Sequence, residues 1–221
     1  LLLSPRDELK IPEEIKADYT HFCYSYIDDI SQLAFTKLLK EHRSYPEYCF
    51  SLGAIATWHM MESLKNKPVC YLDSDLFFYN DPKLVLDYIG DKDVAVIPHD
   101  FLDSDYERLI KNGKFNVSVV YFSGSKKSKE ILGEWVNRVI SKCDETVAWD
   151  QGYLDTWPVK LGDKLCILPD GSCNGPWSWR AYDCKYNENG KLLIMRDNRD
   201  WVPLVSSHFH EHHRNGSSHL D

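Results

Sequence analysis

An α/β layered fold with a mostly parallel sheet is predicted by three observations. Apolar runs of strand length alternate with amphipathic runs of helical length. Glycine and proline sit at the ends of those runs rather than inside them. The length of 221 residues suits a single domain over residues 1–221 with one sizeable core.

The elements are justified in order. "LLLSPRDELK" opens as a short buried strand ending at Ser4-Pro5, and "THFCYSYIDDI" alternates loosely as a second. "SQLAFTKLLKEH" spaces Leu33, Phe35, Leu38 and Leu39 as a helix behind a Ser31 cap. "PEYCFSLGAIATWHMMESLKN" is a longer helix, with Pro46 in its first turn and Asn66-Lys67-Pro68 ending it. The strand "VCYLDSD" follows, then the helix "PKLVLDYIG" between a proline and a glycine. "DVAVIPH" and "FNVSVVYFSG" are strands, the second bounded by Gly113 and by Ser123-Gly124. Asp103-Ser104-Asp105 starts a helix, with Asp103 or Ser104 as its cap. "KSKEILGEWVNRVISKCD" puts Ile131, Leu132, Trp135, Val139 and Ile140 on one helical face. "WDQGYLDTWP" reads as a short helix ending at Pro158, and "KLCILP" as a strand. From about residue 169 onward the pattern is irregular.

Composition narrows the function classes. Hydrophobic residues are 43% and charged residues 27%, an ordinary globular mixture. The net charge of -8 argues against nucleic acid or an anionic membrane as the main partner. Aromatic residues reach 13%, and such a surplus serves cores and also carbohydrate and nucleobase sites. Seven cysteines form no CxxC pair, which leaves no zinc-finger spacing and points to reduced thiols in a cytoplasmic protein. No apolar run reaches the length of a membrane span.

The chemistry concentrates at Asp73 and Asp75. They stand at the carboxyl end of the apolar strand Val69 to Leu72, where open α/β sheets place ligands. Neighbouring carboxylates repel and lose hydration there, and a cation between them relieves both costs. Hard oxygen donors suit Mn²⁺ or Mg²⁺, and such ions carry substrate phosphates. The second copy of the same letters, Asp103 to Asp105, lacks an apolar strand before it and is read as structural.

Four segments in order carry a resemblance. "YLDSDLFFYNDP" resembles the DxD motif of GT-A glycosyltransferases, "GKFNVSVVYFSGS" their "FN-G" segment, "WDQGYLDTWP" their "DQ-x-x-L" segment and "LVSSHFHEH" their late "HF-G" segment. The chain thus resembles the glycogenin-like, retaining branch of that family. The resemblance implies a GT-A, Rossmann-like mixed sheet flanked by helices, and a sugar transfer from a nucleotide-diphosphate donor, typically a UDP-sugar. Its acceptor would be a hydroxyl on a glycan or a lipid-linked molecule, with peripheral membrane association for a glycolipid. It implies metal ligation by Asp73, Asp75 and His208, a nucleotide contact from Asp73, and a nucleotide or structural contact from Arg43. It places Asn116 facing the donor sugar, with Asp150 and Gln151 at the anomeric carbon. Glu47 beside Arg43 is a nucleotide or structural contact.

The sequence departs from the pattern at Ser118, where the family has glycine, at His210, and in lacking "KPW" after the last motif. No segment corresponds to the family's first strand-helix unit. Three readings remain beside the motifs. His208, His210, His212 and His213 form a separate transition-metal site or, His208 apart, a plain surface histidine cluster, Trp177, Trp179 and Arg180 a stacking platform or a core plug, and His99 an acceptor contact. The competing functions are a degenerate transferase domain that binds without catalysis and a haloacid-dehalogenase-type phosphohydrolase.

Overall fold

The computed structural model of the chain describes residues 2–4, 24–26 and 34–209. The expected Ser31 cap and the histidines at 210, 212 and 213 lie outside them. Strands β1 (Leu2–Ser4) and β2 (Tyr24–Tyr26) pair in parallel. Helices α1 (Ala34–His42) and α2 (Tyr45–Ser63) follow. Pro46 lies in the first turn of α2, and the Glu47 carboxylate accepts the Ser44 N–H at 2.7 Å. The Ser44 hydroxyl first, and then that backbone N–H, hold the Glu47 carboxyl below the usual range, so Glu47 serves the helix end. Left-handed Lys65 and Asn66 (φ 54° and 61°) close α2, as the Asn-Lys-Pro signal predicts.

A four-stranded sheet in the order β3-β6-β5-β7 forms the centre, from β3 (Val69–Leu72), β5 (Val94–Pro98), β6 (Phe115–Phe122) and β7 (Leu165–Ile167). Strand β6 is antiparallel to both neighbours, whereas β5 and β7 are parallel. Three strands therefore run one way and β6, between two of them, runs back. The return is allowed because only a short helix, α4 (Tyr106–Asn112), joins β5 to β6 rather than a full crossover. The α/β class and the mixed sheet stand as predicted. Alternating burial along β5 divides the core. Val94 and Val96 join one cluster with α2 and with α5 (Lys126–Ser141), while Ala95 and Ile97 join another with Val85 and Ile89 of α3 (Lys83–Ile89).

Three expectations are corrected. Neither Asp103 nor Ser104 caps α4, whose cap position is Asp105 without a side-chain bond. Asp105 and Ser104 instead accept the Arg180 guanidinium at 2.7 and 3.1 Å. Pro158 does not end a helix. A 3-10 turn over Gln151–Thr156 leads into α6 (Trp157–Leu161), and Pro158 sits in its first turn, where its missing N–H costs nothing. The stretch after residue 169 is not irregular. It holds β8 (Cys173–Asn174), β9 (Tyr182–Tyr186), β10 (Leu192–Arg196), β11 (Val202–Pro203) and β12 (Ser206–His208). These strands are short and one of them, β9, is mostly exposed, so no two-residue alternation marks them.

The strands β9, β10 and β11 form an antiparallel sheet, and β4 (Leu76–Phe78), β12 and β8 form a mixed one, with β12 antiparallel to β4 and parallel to β8. Gly124, between β6 and α5, has φ 80°, and a Cβ there would lie 1.9 Å from the Asn66 carbonyl oxygen. Gly124→Ala therefore forces the β6–α5 turn away from the end of α2, and chemical denaturation should show a loss of about 2 kcal/mol or more. Gly190→Ala, whose Cβ meets nothing within 4 Å, should cost less in the same measurement.

Candidate functional site

Backbone pairing sets the acidic turn on both sides. The Asp73 N–H donates to the Ser118 carbonyl of β6 at 3.0 Å. The Asp75 carbonyl accepts the Phe209 N–H at 2.9 Å, just beyond β12. Strand β12 is antiparallel to β4 with His208 opposite Leu76, so the register delivers the imidazole to the acidic pair. His208 Nε2 stands 3.1 Å from Asp75 Oδ1 and 3.4 Å from Asp73 Oδ2. One ligand atom from each of the three residues falls within a 4.8 Å group.

That donor set fits a divalent cation. Adjacent ligands about 2.1 Å from a small octahedral ion stand about 3 Å from one another, close to the observed separations. Two carboxylates and an imidazole form a mixed oxygen and nitrogen set, unlike the all-oxygen set typical of Ca²⁺.

Tyr71 was not singled out from the sequence, yet its hydroxyl donates to Asp73 Oδ1 at 2.8 Å. Burial first, then the Asp73 charge, pushes the Tyr71 hydroxyl far above its ordinary pKa, so it remains a donor. Its ring lies over Gly53 of α2, whose Cβ would come within 3.3 Å of two ring carbons. The signal for Tyr71 was available: residues two apart on a strand share a face.

Asp150 is buried at the start of the Gln151–Thr156 turn. Two consecutive left-handed residues, Ala148 and Trp149 (φ 53° and 59°), lead into it. The Asp150 carbonyl accepts the Trp135 indole N–H at 2.8 Å, which ties the turn to the core helix α5. Burial, and then the charge of Asp73, pushes the Asp150 carboxyl up to about 8. Asn116 and Gln151 line the same cleft of about 350 Å³ as Asp150, with Phe50, Trp149 and Trp177 among the other walls. A second cleft of about 440 Å³ runs along β3 to Asp73 and Ser74, between Met60 and Leu64 of the α2 end and the strand. The acidic turn thus adjoins one cleft and Asp150 lines the other. A larger groove of about 840 Å³ on α2 and α5, lined by Trp58, Lys129 and Arg138, contains none of these residues.

Arg43, expected as a nucleotide contact, is not brought to this cluster. Its guanidinium donates to the Val139 and Ile140 carbonyls, both at 2.6 Å, and to Ser51 Oγ at 2.5 Å. It satisfies the carbonyls at the end of α5 and so joins α1, α2 and α5. Ser118, in place of the family's glycine, is buried with its hydroxyl 3.8 Å from Cys173 Sγ. Trp177 meets His208 edge to face at 5.9 Å and lines the Asp150 cleft, so it belongs to the site more than to a core plug. Arg180 holds Asp105 instead. The six cysteines among the described residues are free thiols, and no helix among them is long and apolar enough to cross a membrane.

A mixed α/β fold with an Asp-Asp-His cluster at its sheet edge is the class that these observations define. No protein-family profile matches the sequence. Two Bacillus subtilis (strain 168) proteins described as uncharacterized are similar to it. YfnF is 27% identical over 185 residues, covering 77% of this chain and 58% of YfnF. YfnD is 23% identical over 177 residues, covering 77% of this chain and 55% of YfnD. The chain therefore spans little more than half the length of these relatives. Among solved structures, apo mouse xyloside xylosyltransferase 1 aligns with a TM-score of 0.48 and 12% identity, over 85% of this chain and 74% of that one.

Two outcomes follow from the geometry. Arg43→Met should lower stability by about 1–3 kcal/mol in chemical denaturation, because two helix-end carbonyls lose their donors. It should leave divalent-cation binding at the acidic pair unchanged in a calorimetric titration. The second concerns Asp150. The unfolded chain releases this proton near pH 4, whereas the folded chain retains it to about 8. The group therefore favours the folded state fully below about pH 4, and that contribution is lost as pH rises toward 8. Denaturation of Asp150→Asn and wild type across this range, without metal, should show their stability difference shifting toward the variant as pH rises.

Proposed function

We propose that this chain is the donor-binding and transfer domain of a metal-dependent GT-A glycosyltransferase, a single domain over residues 1–221. The carrying observation is the convergence of His208 on Asp73 and Asp75 through the β12–β4 register. The four motifs of the glycogenin-like branch, in order along the chain, support the same reading. The donor is a nucleotide-diphospho-sugar, a UDP-sugar by resemblance. The acceptor is a hydroxyl on a glycan or a lipid-linked molecule, and the outcome is retention. The setting is the cytoplasm, or the membrane surface where the acceptor is a lipid.

Residue roles follow from the chemistry. Asp73, Asp75 and His208 hold Mn²⁺ or Mg²⁺, which when bound neutralises the leaving diphosphate, a contribution of several kcal/mol to transition-state stabilisation. Tyr71 keeps the Asp73 carboxylate oriented through its hydrogen bond. The nucleotide lies in the cleft along β3, between the α2 end and the strand. The sugar lies in the cleft of Asn116, Asp150 and Gln151, where Trp149 and Trp177 supply aromatic walls for pyranose C–H faces. Gln151 and Asn116 offer amide groups to the sugar hydroxyls. Asp150 stands beside the anomeric carbon, where its carboxyl group steadies developing positive charge, as carboxylates do in glycoside chemistry.

Thermal denaturation with UDP, with and without Mn²⁺, tests the reading on wild type and Asp75→Asn. At a hundredfold excess over Kd, a ligand that binds only the folded state adds about 2.7 kcal/mol. For a chain of this size the shift is on the order of 5–10 °C. Wild type should respond to UDP only with Mn²⁺, and the variant should lose that response. A wild type that ignores both would remove the transferase reading. Binding without transfer from any UDP-sugar would leave a donor-binding domain without catalysis.

A further inference from the structure

Strand β6 carries an irregularity where it meets the site. Val96 of β5 pairs with Val120, but the next residue, Ile97, pairs with Asn116. The residues between bulge away from β5, and their backbone groups need other partners. The Ser118 carbonyl accepts the Asp73 N–H. The Ser118 N–H donates to Asn116 Oδ1 at 2.8 Å. Asn116 thus clasps the bulge on which the acidic turn hangs.

The other end of the same amide is held by His99. A carbonyl can only accept, so His99 Nδ1, 2.9 Å from the Gly113 oxygen, carries the proton. Nε2 of the neutral ring is then an acceptor, and it stands 3.2 Å from Asn116 Nδ2. The two constraints agree. Ser118 N–H requires the amide oxygen on its side, and His99 Nε2 requires the amide nitrogen on the other. His99 is itself fixed: buried, stacked on Phe101 at 4.7 Å, and edge-on to Trp177 at 5.5 Å. Its carbonyl accepts the Trp177 indole N–H. Asn116 lines the cleft it shares with Asp150 and Gln151, and its amide nitrogen carries a second N–H besides the one facing His99.

We propose that His99 is a positioning residue that locks the Asn116 carboxamide, so that one amide N–H is presented to the donor sugar; this rests on the transferase reading above. His99 is then not an acceptor contact, because both ring nitrogens face the protein. The device sets the direction of one hydrogen bond to a sugar hydroxyl. Its effect should appear in the transfer step more than in the capture of the nucleotide.

The test compares His99→Asn with His99→Gln in the intact protein. Asparagine can replace the Nδ1 donor to Gly113 but leaves Asn116 Nδ2 without its acceptor. Glutamine can reach Asn116 with its amide oxygen. The inference expects His99→Asn to lower kcat on the order of 10- to 100-fold, the scale of a misplaced contact. UDP–Mn²⁺ affinity should stay within about twofold by calorimetry, which also reports that the variant is folded. His99→Gln should recover most of the lost kcat. Two results would overturn it: His99→Asn turning over like wild type, or both variants losing kcat and UDP–Mn²⁺ affinity together, as a structural role would give. A wild type that binds UDP–Mn²⁺ but transfers no sugar, or that binds neither, removes the transferase reading and this inference with it. That failure is visible before any variant is made.

Discussion

The site depends on the pairing of β12 with β4. Strand β4 has three residues and follows directly on two carboxylates that repel each other. Such a segment has little to hold it by itself. The late strand supplies what it lacks. Phe209 N–H reaches the Asp75 carbonyl on one side, while the N–H groups of Tyr79 and Asn80 reach the Val205 carbonyl, Tyr79 at 2.8 Å. Asn80 adds side-chain bonds to the Leu204 and Leu192 carbonyls at 2.7 and 3.1 Å, tying β10 into the same join. A slip of one residue in this register would turn His208 to the opposite face and leave the acidic pair without its third donor. The Asp-Asp-His cluster is therefore a consequence of sheet register, and its geometry is as precise as the backbone ladder that sets it.

A cost comes with that precision. The fold gathers the carboxylates of Asp73, Asp75 and Asp150 around the carboxyl end of one strand, and one of the three is fully inside. The chain lowers that cost without a metal by keeping the proton on Asp150, whose carboxyl is pushed to about 8. Tyr71 offsets part of it at Asp73 through a neutral donor that burial keeps from ionising. A cation at the Asp-Asp-His cluster would remove the Asp73 part of that effect, while burial, the larger cause, would still favour the neutral acid. The charge of Asp73 is thus one of two influences on Asp150, and burial is the larger.

Some of this was legible in the sequence and some was not, for physical reasons. The strand ending in Asp73 was legible because a fully buried strand is a run of apolar letters, and the change to polar letters marks its end. The helices α2 and α5 were legible from their caps and periodicity. His208 was found by resemblance alone, since nothing local to "SSHF" says that it faces Leu76. Arg43 could not be resolved between a nucleotide and a structural contact, because its partners, the carbonyls of Val139 and Ile140, are backbone groups with no sequence signature. The five late strands were missed because their side chains do not alternate between core and water. His99 and Asn116 were each noticed, but their contact requires β5 to lie beside β6 with a bulge at one particular residue, and strand order is not written in periodicity.

The bulge and the register divide the work between them. The β12–β4 ladder fixes the atoms that would face the diphosphate, and the β5–β6 bulge fixes the atoms that would face the sugar. The two meet at Ser118, whose carbonyl holds Asp73 and whose N–H holds Asn116. A glycine, as in the GT-A segment that this stretch resembles, would make the same two backbone bonds, so a serine here leaves the junction intact. What the side chain adds is volume on the far side, beside Cys173 of β8, where it packs against the sheet that carries His208. The departure from the family pattern thus falls on the face that joins the two sheets, while the backbone groups that bind the acidic turn to the bulge are those any residue would provide.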